Sequence, residues 1–166
     1  MNPSILCIFA LTCFNGFPQN AEDPPTASSA SKRALAWVRA FNENKAEKLL
    51  DFYDRSGDLM VVVSSGLAHQ GFEDIDKIYQ QQFKEVEFFD SKAKNLKTRV
   101  FEKSAIVQME HLVKARVKKD ESILQIHIRT TLVFHLKNGN WKILGEHSSP
   151  ISGIERIRVL QGSQQP

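Results

Sequence analysis

Residues 123–149 read ILQIHIRTTLVFHLKNGNWKILGEHSS, in which two alternating runs flank the turn KNGN at 137–140. Asparagine and glycine tolerate the positive φ angles of a type I′ turn, so this pair between strand-like runs predicts a β-hairpin. Taking Asn138 and Gly139 as the two loop residues fixes the register of the two strands. That register pairs Leu136 with Trp141, Phe134 with Ile143, Thr131 with Glu146 and Arg129 with Ser148.

The register also separates the two faces of the hairpin, because successive side chains of a strand point to opposite sides. One face is apolar and is expected to belong to the core: Leu124, Ile126, Ile128, Thr130, Leu132, Phe134, Leu136, Trp141, Ile143 and His147. The other face is mixed: Gln125, His127, Arg129, Thr131, Val133, Leu144, Glu146 and Ser148.

The preceding run, residues 105–117, also alternates and is expected to fold back on the hairpin. Pairing Val117 with Ile123 gives two further pairs: His111 opposite Arg129, and Val113 opposite His127. Two histidines, an arginine and a glutamate then lie among aliphatic side chains on the mixed face. A concave apolar surface with a few convergent polar groups is typical of a ligand pocket. The alternative is a solvated outer face, and alternation alone does not separate the two.

Helical periodicity begins near Ser31 and, past a break at 42–44, continues to Tyr53. Ser29 or Ser31 is the expected N-cap. The remaining elements are expected in this order: a buried strand at 59–64, a glycine-containing loop at 65–71, a second helix at 72–87 and a strand at 90–101. Helices followed by a run of antiparallel strands predict an α+β fold, with the helices packed on one side of a curved sheet.

The N-terminus differs in composition from the rest of the chain. Residues 5–14 are an apolar run of the length typical of a signal peptide and too short to span a bilayer. We therefore expect an export signal at 1–21, a flexible lead-in at 22–30, and a secreted or periplasmic protein. Both cysteines lie inside the signal, so no disulfide is expected in the mature domain. Plain secretion is favoured over a lipid anchor on Cys13, because Leu11-Thr12 is a poor match to the small residue required before that cysteine.

The charge of the chain argues against nucleic-acid binding. The formal net charge is +3, and the lysines are dispersed near expected turns without accompanying aromatic side chains. No segment is long and apolar enough to predict a membrane span, and no motif predicts a cofactor.

Three local patterns resemble the SnoaL-like, nuclear transport factor two-like superfamily of cone-shaped domains. The first is the helix, asparagine-containing break and amphipathic turn at 40–53, and the second is the strand, glycine loop and helix start at 59–75. The third is the sequence RTTLVF at 129–134, NGNWKI at 138–143 and EHSSP at 146–150. This last pattern is similar to the branch that contains the calcium/calmodulin-dependent kinase II association domain. The resemblance covers about residues 31–153 and leaves 154–166 as a C-terminal tail.

The resemblance implies a cone-shaped, curved antiparallel sheet with N-terminal helices on its concave side, and a homodimer formed through the convex face. Members of the superfamily include ketosteroid isomerases, polyketide cyclases, dehydratases and non-catalytic oligomerisation modules, so it implies a fold more than an activity. None of the family's enzymatic residue sets transfers to this sequence. The kinase branch lines its pocket with arginines, but His111 and Ser148 occupy those positions here, which leaves Arg129 as the candidate cation.

Glu146 and His111 are the candidate catalytic residues, because a carboxyl group in an apolar cone can have a raised pKa and a histidine can relay protons. Arg129 can donate two parallel hydrogen bonds to a carboxylate or a carbonyl. The candidate ligand-binding residues are Arg129, His127, Ser148 and Tyr53. The structural alternatives are a buried Arg129–Glu146 ion pair and histidines that only pack. A metal site is disfavoured, because the histidines and Glu146 lack local metal-ligand spacing.

Two hypotheses about function remain open at this level. In the first, an exported SnoaL-like domain binds a small, partly apolar molecule in its cone and carries out acid–base chemistry of the isomerase, cyclase or dehydratase type. In the second, the domain is a non-catalytic dimerisation or ligand-binding module. The apolar row on strand 123–137 is available either for a dimer contact or for the helices: Ile126, Ile128, Leu132 and Phe134.

Overall fold

The computed structural model describes residues 26–151 and the backbone of residues 155–157. The helices are α1 Ala27–Phe41, α2 Ala46–Leu50 and α3 Phe72–Glu85. The strands are β1 Met60–Val62, β2 Ala68–Gln70, β3 Val86–Phe101, β4 Ser104–Val117, β5 Ile123–Lys137, β6 Asn140–Pro150 and β7 Glu155–Ile157. The predicted signal peptide with its cysteines, and the tail apart from β7, lie outside the described residues.

Helix α1 begins at Ala27, one turn before the predicted start near Ser31. Thr26 is the N-cap: its hydroxyl accepts a hydrogen bond from the Ser29 N–H at 3.1 Å, and the Thr26 N–H donates to the Ser29 hydroxyl at 3.1 Å. This reciprocal pair satisfies two backbone donors that a helix start otherwise leaves unbonded. The first turn is made of small and polar residues without apolar periodicity, so the sequence pattern did not reveal it.

The strands in the described part of the chain form one curved sheet in the order β2-β1-β6-β5-β4-β3, and β7 pairs with the start of β5. The pairings are antiparallel except that of β1 with β6, which is parallel. Helix α1 packs on β3 and β4, so the helices cover the concave side. The predicted α+β cone is confirmed. Strands β2 and β7 lie in segments that the sequence predicted as loop and tail.

The hairpin between β5 and β6 has the predicted turn. Asn138 and Gly139 have φ angles of 50° and 74°, and Lys137 pairs with Asn140. The register holds as far as Phe134 and then shifts by one residue, because Leu144 is the extra residue of a β-bulge.

The bulge changes which side chains of β6 are buried. Glu146 pairs with Leu132 rather than with Thr131, and Ser148 pairs with Thr130 rather than with Arg129. Glu146 and Ser148 therefore share the concave face with the core, while His147, which was predicted on the core face, is exposed.

The predicted register of β4 on β5 is also wrong by one residue. Ile123 pairs with Arg116, so His111 lies opposite Ile128 rather than Arg129, and Val113 lies opposite Ile126 rather than His127. The connecting loop sets this register: the Val117 N–H donates to the Ser122 carbonyl at 2.8 Å, and the Glu121 N–H donates back to the Val117 carbonyl at 2.8 Å. His111 consequently faces the core, and His127 and Arg129 lie on the opposite face of the sheet.

The core lies between α1, α3 and the concave face. Trp37 and Phe41 of α1 and Tyr79 and Phe83 of α3 are buried against it. Leu132 and Phe134 are fully buried, so the apolar row of β5 serves this core rather than a dimer contact. Within the residues described, no helix has the length and apolarity required to cross a membrane.

Candidate functional site

Glu146 is a buried carboxyl group on the concave face of the sheet, 7 % exposed. Its Oε2 accepts a hydrogen bond from the Tyr53 hydroxyl at 2.6 Å and a longer one from the Tyr79 hydroxyl at 3.3 Å. Its Oε1 accepts from the Ser148 hydroxyl at 3.0 Å. Three hydroxyl groups from three different parts of the chain therefore converge on one carboxyl group.

Backbone hydrogen bonds to β6 position Tyr53. The Ile143 N–H donates to the Phe52 carbonyl at 2.8 Å, and the Asp54 N–H donates to the Ile143 carbonyl at 2.8 Å. Tyr53 thus lies beside the strand that carries Glu146. Its hydroxyl also accepts a hydrogen bond from Trp37 Nε1 at 2.9 Å, which ties the carboxyl group to helix α1.

A second set of hydrogen bonds joins Glu146 to His111 through two hydroxyl groups. Ser148 Oγ, already bonded to Glu146, lies 2.8 Å from Thr130 Oγ1, and Thr130 Oγ1 lies 3.1 Å from His111 Nε2. These residues come from the adjacent strands β6, β5 and β4, whose side chains on one face lie side by side. His111 Nδ1 is buried and has no hydrogen-bond partner among the described residues.

A recess between the helices and the sheet reaches this network. It encloses about 480 Å³ including open solvent at its mouth, of which about 80 Å³ admits the centre of a water-sized molecule. Its lining is largely apolar and aromatic, and its polar groups include Glu146, Ser148 and His111. The residues that line it are Trp37, Phe41, Val63, Ser64, Tyr79, Gln82, Phe88, His111, Val113, Ile126, Ile128, Glu146 and Ser148. An apolar recess with a few placed polar groups is the usual composition of a small-molecule site.

Burial shifts the pKa values of the groups around this recess. It raises the pKa of Glu146 above its ordinary value, although the hydrogen bonds from Tyr53, Ser148 and Tyr79 act in the opposite direction. Burial also lowers the pKa of His111 to about 4, with a smaller contribution from His127. The imidazole of His111 is therefore neutral near neutral pH, and the carboxyl group of Glu146 can hold a proton at a higher pH than an exposed glutamate.

The predicted site residues fall into two groups. Glu146, His111, Ser148 and Tyr53 come together around the recess, although the Tyr53 hydroxyl is buried behind Glu146 rather than at the mouth of the cone. Glu146, His111 and Ser148 line the recess itself. The geometry therefore joins the candidate base to the candidate relay through hydroxyl groups.

Arg129 and His127 lie on the outer face of the sheet, away from the recess. Arg129 bonds to Glu110 at 3.1 Å, and the His127 ring lies 3.6 Å from the same carboxylate. The alternative of a buried ion pair between Arg129 and Glu146 is therefore wrong, because the bulge at Leu144 turns Glu146 to the core face while Arg129 stays on the outer face.

Three members of the network, Trp37, Tyr79 and Thr130, were not among the predicted site residues. Tyr79 lies in a regular apolar series on α3, and Thr130 was assigned to the core face of β5 without a role. A hydroxyl group in the middle of an otherwise aliphatic strand face was the available signal for Thr130, since a buried hydroxyl needs a hydrogen-bond partner. Tyr79 had no such local signal.

The outer position of His127 also separates it from His111 and Glu146, the residues considered for a metal site. Among the residues that the structure describes, no group of three or more histidine, cysteine, aspartate or glutamate side chains has an arrangement that could hold a metal ion.

Comparisons with known proteins give a family and a fold. Residues 32–153 match the SnoaL-like domain. No curated protein sequence matches the chain significantly. Among solved structures, a ketosteroid isomerase-like protein from Erwinia carotovora atroseptica is similar with a TM-score of 0.67 and 17 % identity, over 76 % of this chain and 97 % of that one.

Two further structures have the same fold. A protein assigned as a calcium/calmodulin-dependent protein kinase II association domain, from Xanthomonas campestris, has a TM-score of 0.65 and 18 % identity, over 76 % of this chain and 89 % of that one. A type 2 hexachlorocyclohexane dehydrochlorinase has a TM-score of 0.67 and 10 % identity, over 78 % of this chain and 87 % of that one. At these identities the likeness is one of fold.

Proposed function

The chain belongs to the SnoaL-like domain family, whose match covers residues 32–153, and on that basis we propose that the protein binds a small, partly apolar molecule in its cone and exchanges a proton with it through Glu146. The observation that carries this proposal is the buried Glu146 carboxyl group on the wall of an apolar recess. A carboxyl group is seldom buried without a positive partner unless its environment or its role requires it.

The surroundings of Glu146 suit a general base. Its pKa is raised by burial, which brings a carboxylate closer to the pH at which it both accepts and returns protons efficiently. The hydroxyl groups of Tyr53 and Ser148 hold its two oxygens in place. A proton taken from a carbon atom of the ligand and returned to another position is an isomerisation, and a proton taken before loss of a leaving group is an elimination.

The similar structures support this class of chemistry without fixing it. One is named as ketosteroid isomerase-like and another as a dehydrochlorinase. Isomerisation of a ketone and loss of hydrogen chloride both involve removal of a proton from carbon. The substrate of the present protein is not implied by either name, because one fold hosts many activities.

Deuterium exchange tests the proposal without knowledge of the natural substrate. A panel of cyclic ketones is incubated with the protein in heavy water, and incorporation of deuterium next to the carbonyl group is followed by mass spectrometry. We expect exchange above the uncatalysed rate for at least one ketone, and a loss of roughly 10²- to 10⁴-fold in Glu146→Gln.

The matched control is Glu110→Gln, which removes a carboxylate from the outer face of the same sheet. Its exchange rate is expected to equal that of the wild type. Equal exchange rates in Glu146→Gln and wild type would show that Glu146 does not transfer the proton. Absence of exchange in the wild type would contradict proton transfer and reduce the proposal to ligand binding.

A second candidate function is a non-catalytic module that binds a ligand or assembles as a homodimer. Two observations favour it. Glu146 already accepts three hydrogen bonds, as a purely structural carboxyl group would. On the outer face, Ile106 and Val133 pair across β4 and β5 and are 41 % and 38 % exposed, which makes that face a candidate dimer contact.

We further propose that the protein is exported. The apolar run at residues 5–14 supports a signal peptide, with cleavage expected between Gly16 and Ala21. Intact-mass analysis of protein recovered from the culture medium or periplasm tests this, because the mature N-terminus gives the cleavage site directly. A mass increase consistent with an acyl chain on Cys13 would indicate a lipid anchor instead, and full-length protein in the cytoplasm would contradict export.

A further inference from the structure

The hydrogen bonds between Glu146 and His111 have a defined direction. Each hydroxyl group has one proton to donate. The Ser148 hydroxyl donates its proton to Glu146 Oε1, so Ser148 Oγ must accept the proton of Thr130. Thr130 Oγ1, having donated, must in turn accept from His111 Nε2.

His111 is therefore protonated on Nε2, and its Nδ1 carries a lone pair. A neutral imidazole has one N–H donor and one acceptor nitrogen, and the donor is already assigned. His111 is only 2 % exposed, and its buried Nδ1 has no hydrogen-bond partner among the described residues. The lowered pKa of His111 agrees with the neutral form. A buried acceptor without a partner is unfavourable, and a bound donor can offset that cost.

The charge of the recess argues against an anionic occupant. Its lining, as far as the chain is described, contains the carboxyl group of Glu146 and no lysine or arginine. A carboxylate or phosphate ligand would lose its hydration there without gaining a positive partner. This reverses the expectation drawn from Arg129, which lies on the outer face.

The shape of the recess indicates where the rest of the ligand lies. The space of about 80 Å³ is smaller than the engineered cavity of about 150 Å³ that holds benzene, so it suits the polar end of a ligand. A groove of about 490 Å³, measured in the same way as the 80 Å³ of the recess, lies between α3 and the loop after β1 and shares Val63, Ser64 and Gln82 with the recess. The apolar side chains of this groove are Val63, Ile78 and the exposed Leu67, and its charged side chains are Lys77 and Glu85.

We propose that the ligand is an uncharged molecule with a hydroxyl group that donates its proton to His111 Nδ1, and with an apolar body that extends past Val63 into the groove beside α3. This inference rests on the proposed function, since it specifies the ligand of the same site. It assigns to His111 a role in recognition, as the acceptor that selects hydroxyl-bearing molecules over analogues that have no donor.

Four para-substituted toluenes separate the properties involved. The probes are para-cresol, which is neutral and has a donor; para-methylanisole, which is neutral and has none; para-toluate, an anion; and para-methylbenzylamine, a cation. Binding is followed by NMR through the indole N–H signals of the two tryptophans. Trp37 lines the recess, whereas Trp141 donates its N–H to Ser29 outside it and serves as the internal control.

We expect para-cresol to shift the Trp37 signal and leave that of Trp141 in place. Loss of one hydrogen bond should weaken binding of para-methylanisole roughly three- to tenfold. The unpaired charge of para-toluate should weaken its binding by more than about tenfold.

The variant His111→Gln isolates the acceptor. A glutamine amide can still donate to Thr130 from the position of Nε2, but it has no acceptor at the position of Nδ1. In this variant we expect para-cresol and para-methylanisole to bind equally. His127→Gln, the same change on the outer face of the neighbouring strand, should retain the wild-type preference.

The outcomes separate the inference from the function on which it rests. If para-toluate or para-methylbenzylamine binds Trp37 as tightly as para-cresol, the uncharged donor is the wrong ligand class, while binding in the recess stands. If His111→Gln keeps the preference for para-cresol, Nδ1 is not the acceptor and the inference is overturned. If no probe shifts the Trp37 signal, both the inference and ligand binding in the recess are wrong.

Discussion

Glu146 and His111 lie at the two ends of one set of hydrogen bonds, and burial moves both towards their neutral forms. For the carboxyl group this means a raised pKa, and for the imidazole a lowered one. The hydroxyl groups of Ser148 and Thr130 link the two residues, so that a change of protonation at Glu146 alters the hydrogen bonding of His111, and the reverse. A carboxyl group with a raised pKa beside a neutral imidazole suits proton transfer with an uncharged ligand.

The pH dependence of stability should report the state of His111. Its pKa in the folded protein is about 4, below the value of about 6.5 in an unfolded chain, so the unfolded state binds the proton first as the pH falls. Stability is then complete above about pH 6.5 and declines towards pH 4, by about 3 kcal/mol if His111 acts alone. The difference in unfolding free energy between wild type and His111→Gln, measured with urea, should therefore change with pH over this range.

His147→Gln is the control for that measurement, because His147 is exposed. Its unfolding free energy should follow that of the wild type at each pH. Parallel curves for wild type and His111→Gln would show that His111 is protonated as easily in the folded protein as in the unfolded chain.

Asp54 makes a second pH-dependent contribution to the stability of the fold. It is 2 % exposed and bonds to His135 at 2.8 Å and Lys137 at 2.9 Å. Burial tends to raise its pKa, but the hydrogen bonds from Lys137 and His135 outweigh this and hold the pKa well below its ordinary value. The resulting stability is fully present above the ordinary aspartate pKa of about 4 and declines as the pH falls further.

Asp54→Asn should accordingly lower the free energy of unfolding by about 1–3 kcal/mol at neutral pH. The difference from wild type should shrink below about pH 4, where the unfolded chain takes up the proton that native Asp54 does not. Asp58→Asn, a change at an exposed aspartate four residues along, should have no comparable effect. A difference that is constant with pH would show that the ion pairs of Asp54 do not contribute.

Strand β6 shows what local sequence can and cannot specify at the scale of an element. The Asn138–Gly139 pair carries its own conformational signal, so the turn and the adjacent pairs could be predicted. The bulge at Leu144 has no such signal, because a regular alternation and a bulged one differ by a single residue of register. The prediction therefore identified Glu146 as important while pairing it with the wrong residue.

The same reasoning explains why Arg129 was grouped with the wrong side chains. Its own face was predicted correctly, opposite Thr130 and Leu132, but His111 and Glu146 were placed beside it. The loop at 118–122 and the bulge each change the register of a neighbouring strand by one residue. A change of one residue moves a side chain to the other face, so His111 and Glu146 lie on the core side and Arg129 does not.

The turn between β5 and β6 should be sensitive to the loss of glycine. Gly139 has a φ of 74°, a conformation that an alanine adopts only with strain. Gly139→Ala is expected to lower the unfolding free energy by about 1 kcal/mol, measured by chemical denaturation. Gly57→Ala, at a position where an added Cβ meets no atom within 4 Å, should change it by less than about 0.5 kcal/mol. Equal effects of the two changes would contradict the turn as a determinant of the hairpin.

At the scale of the whole molecule, the α+β cone followed from the order of helices and strands and from the resemblance to SnoaL-like domains. The network around Glu146 did not, because its members come from α1, α3, the segment before β1 and three strands. Tyr53 and Glu146 are 93 residues apart in sequence, and only the fold brings them within hydrogen-bond distance. Contacts of that separation carry no local pattern that a single sequence can display.

The outer face of the sheet allows a prediction about assembly. If the protein dimerises there, Val133 and Ile106 are buried at the contact, and Val133→Asp should convert a dimer to a monomer in sedimentation velocity without loss of fold. Leu67→Asp changes an exposed apolar residue near α3 instead and should leave the dimer intact. A monomeric wild type, or a Val133→Asp variant that remains dimeric, would exclude this face as the contact.

The pKa of Glu146 tests proton transfer in the cone most directly. It can be measured by following the carboxyl carbon of Glu146 through a pH titration by NMR, with Glu146→Gln used to assign the signal. The predicted result is a pKa above the ordinary glutamate value of 4.5. A pKa at or below 4.5 would mean that the three hydroxyl groups simply stabilise a permanent anion, and would contradict the account of Glu146 as a group that accepts and returns protons.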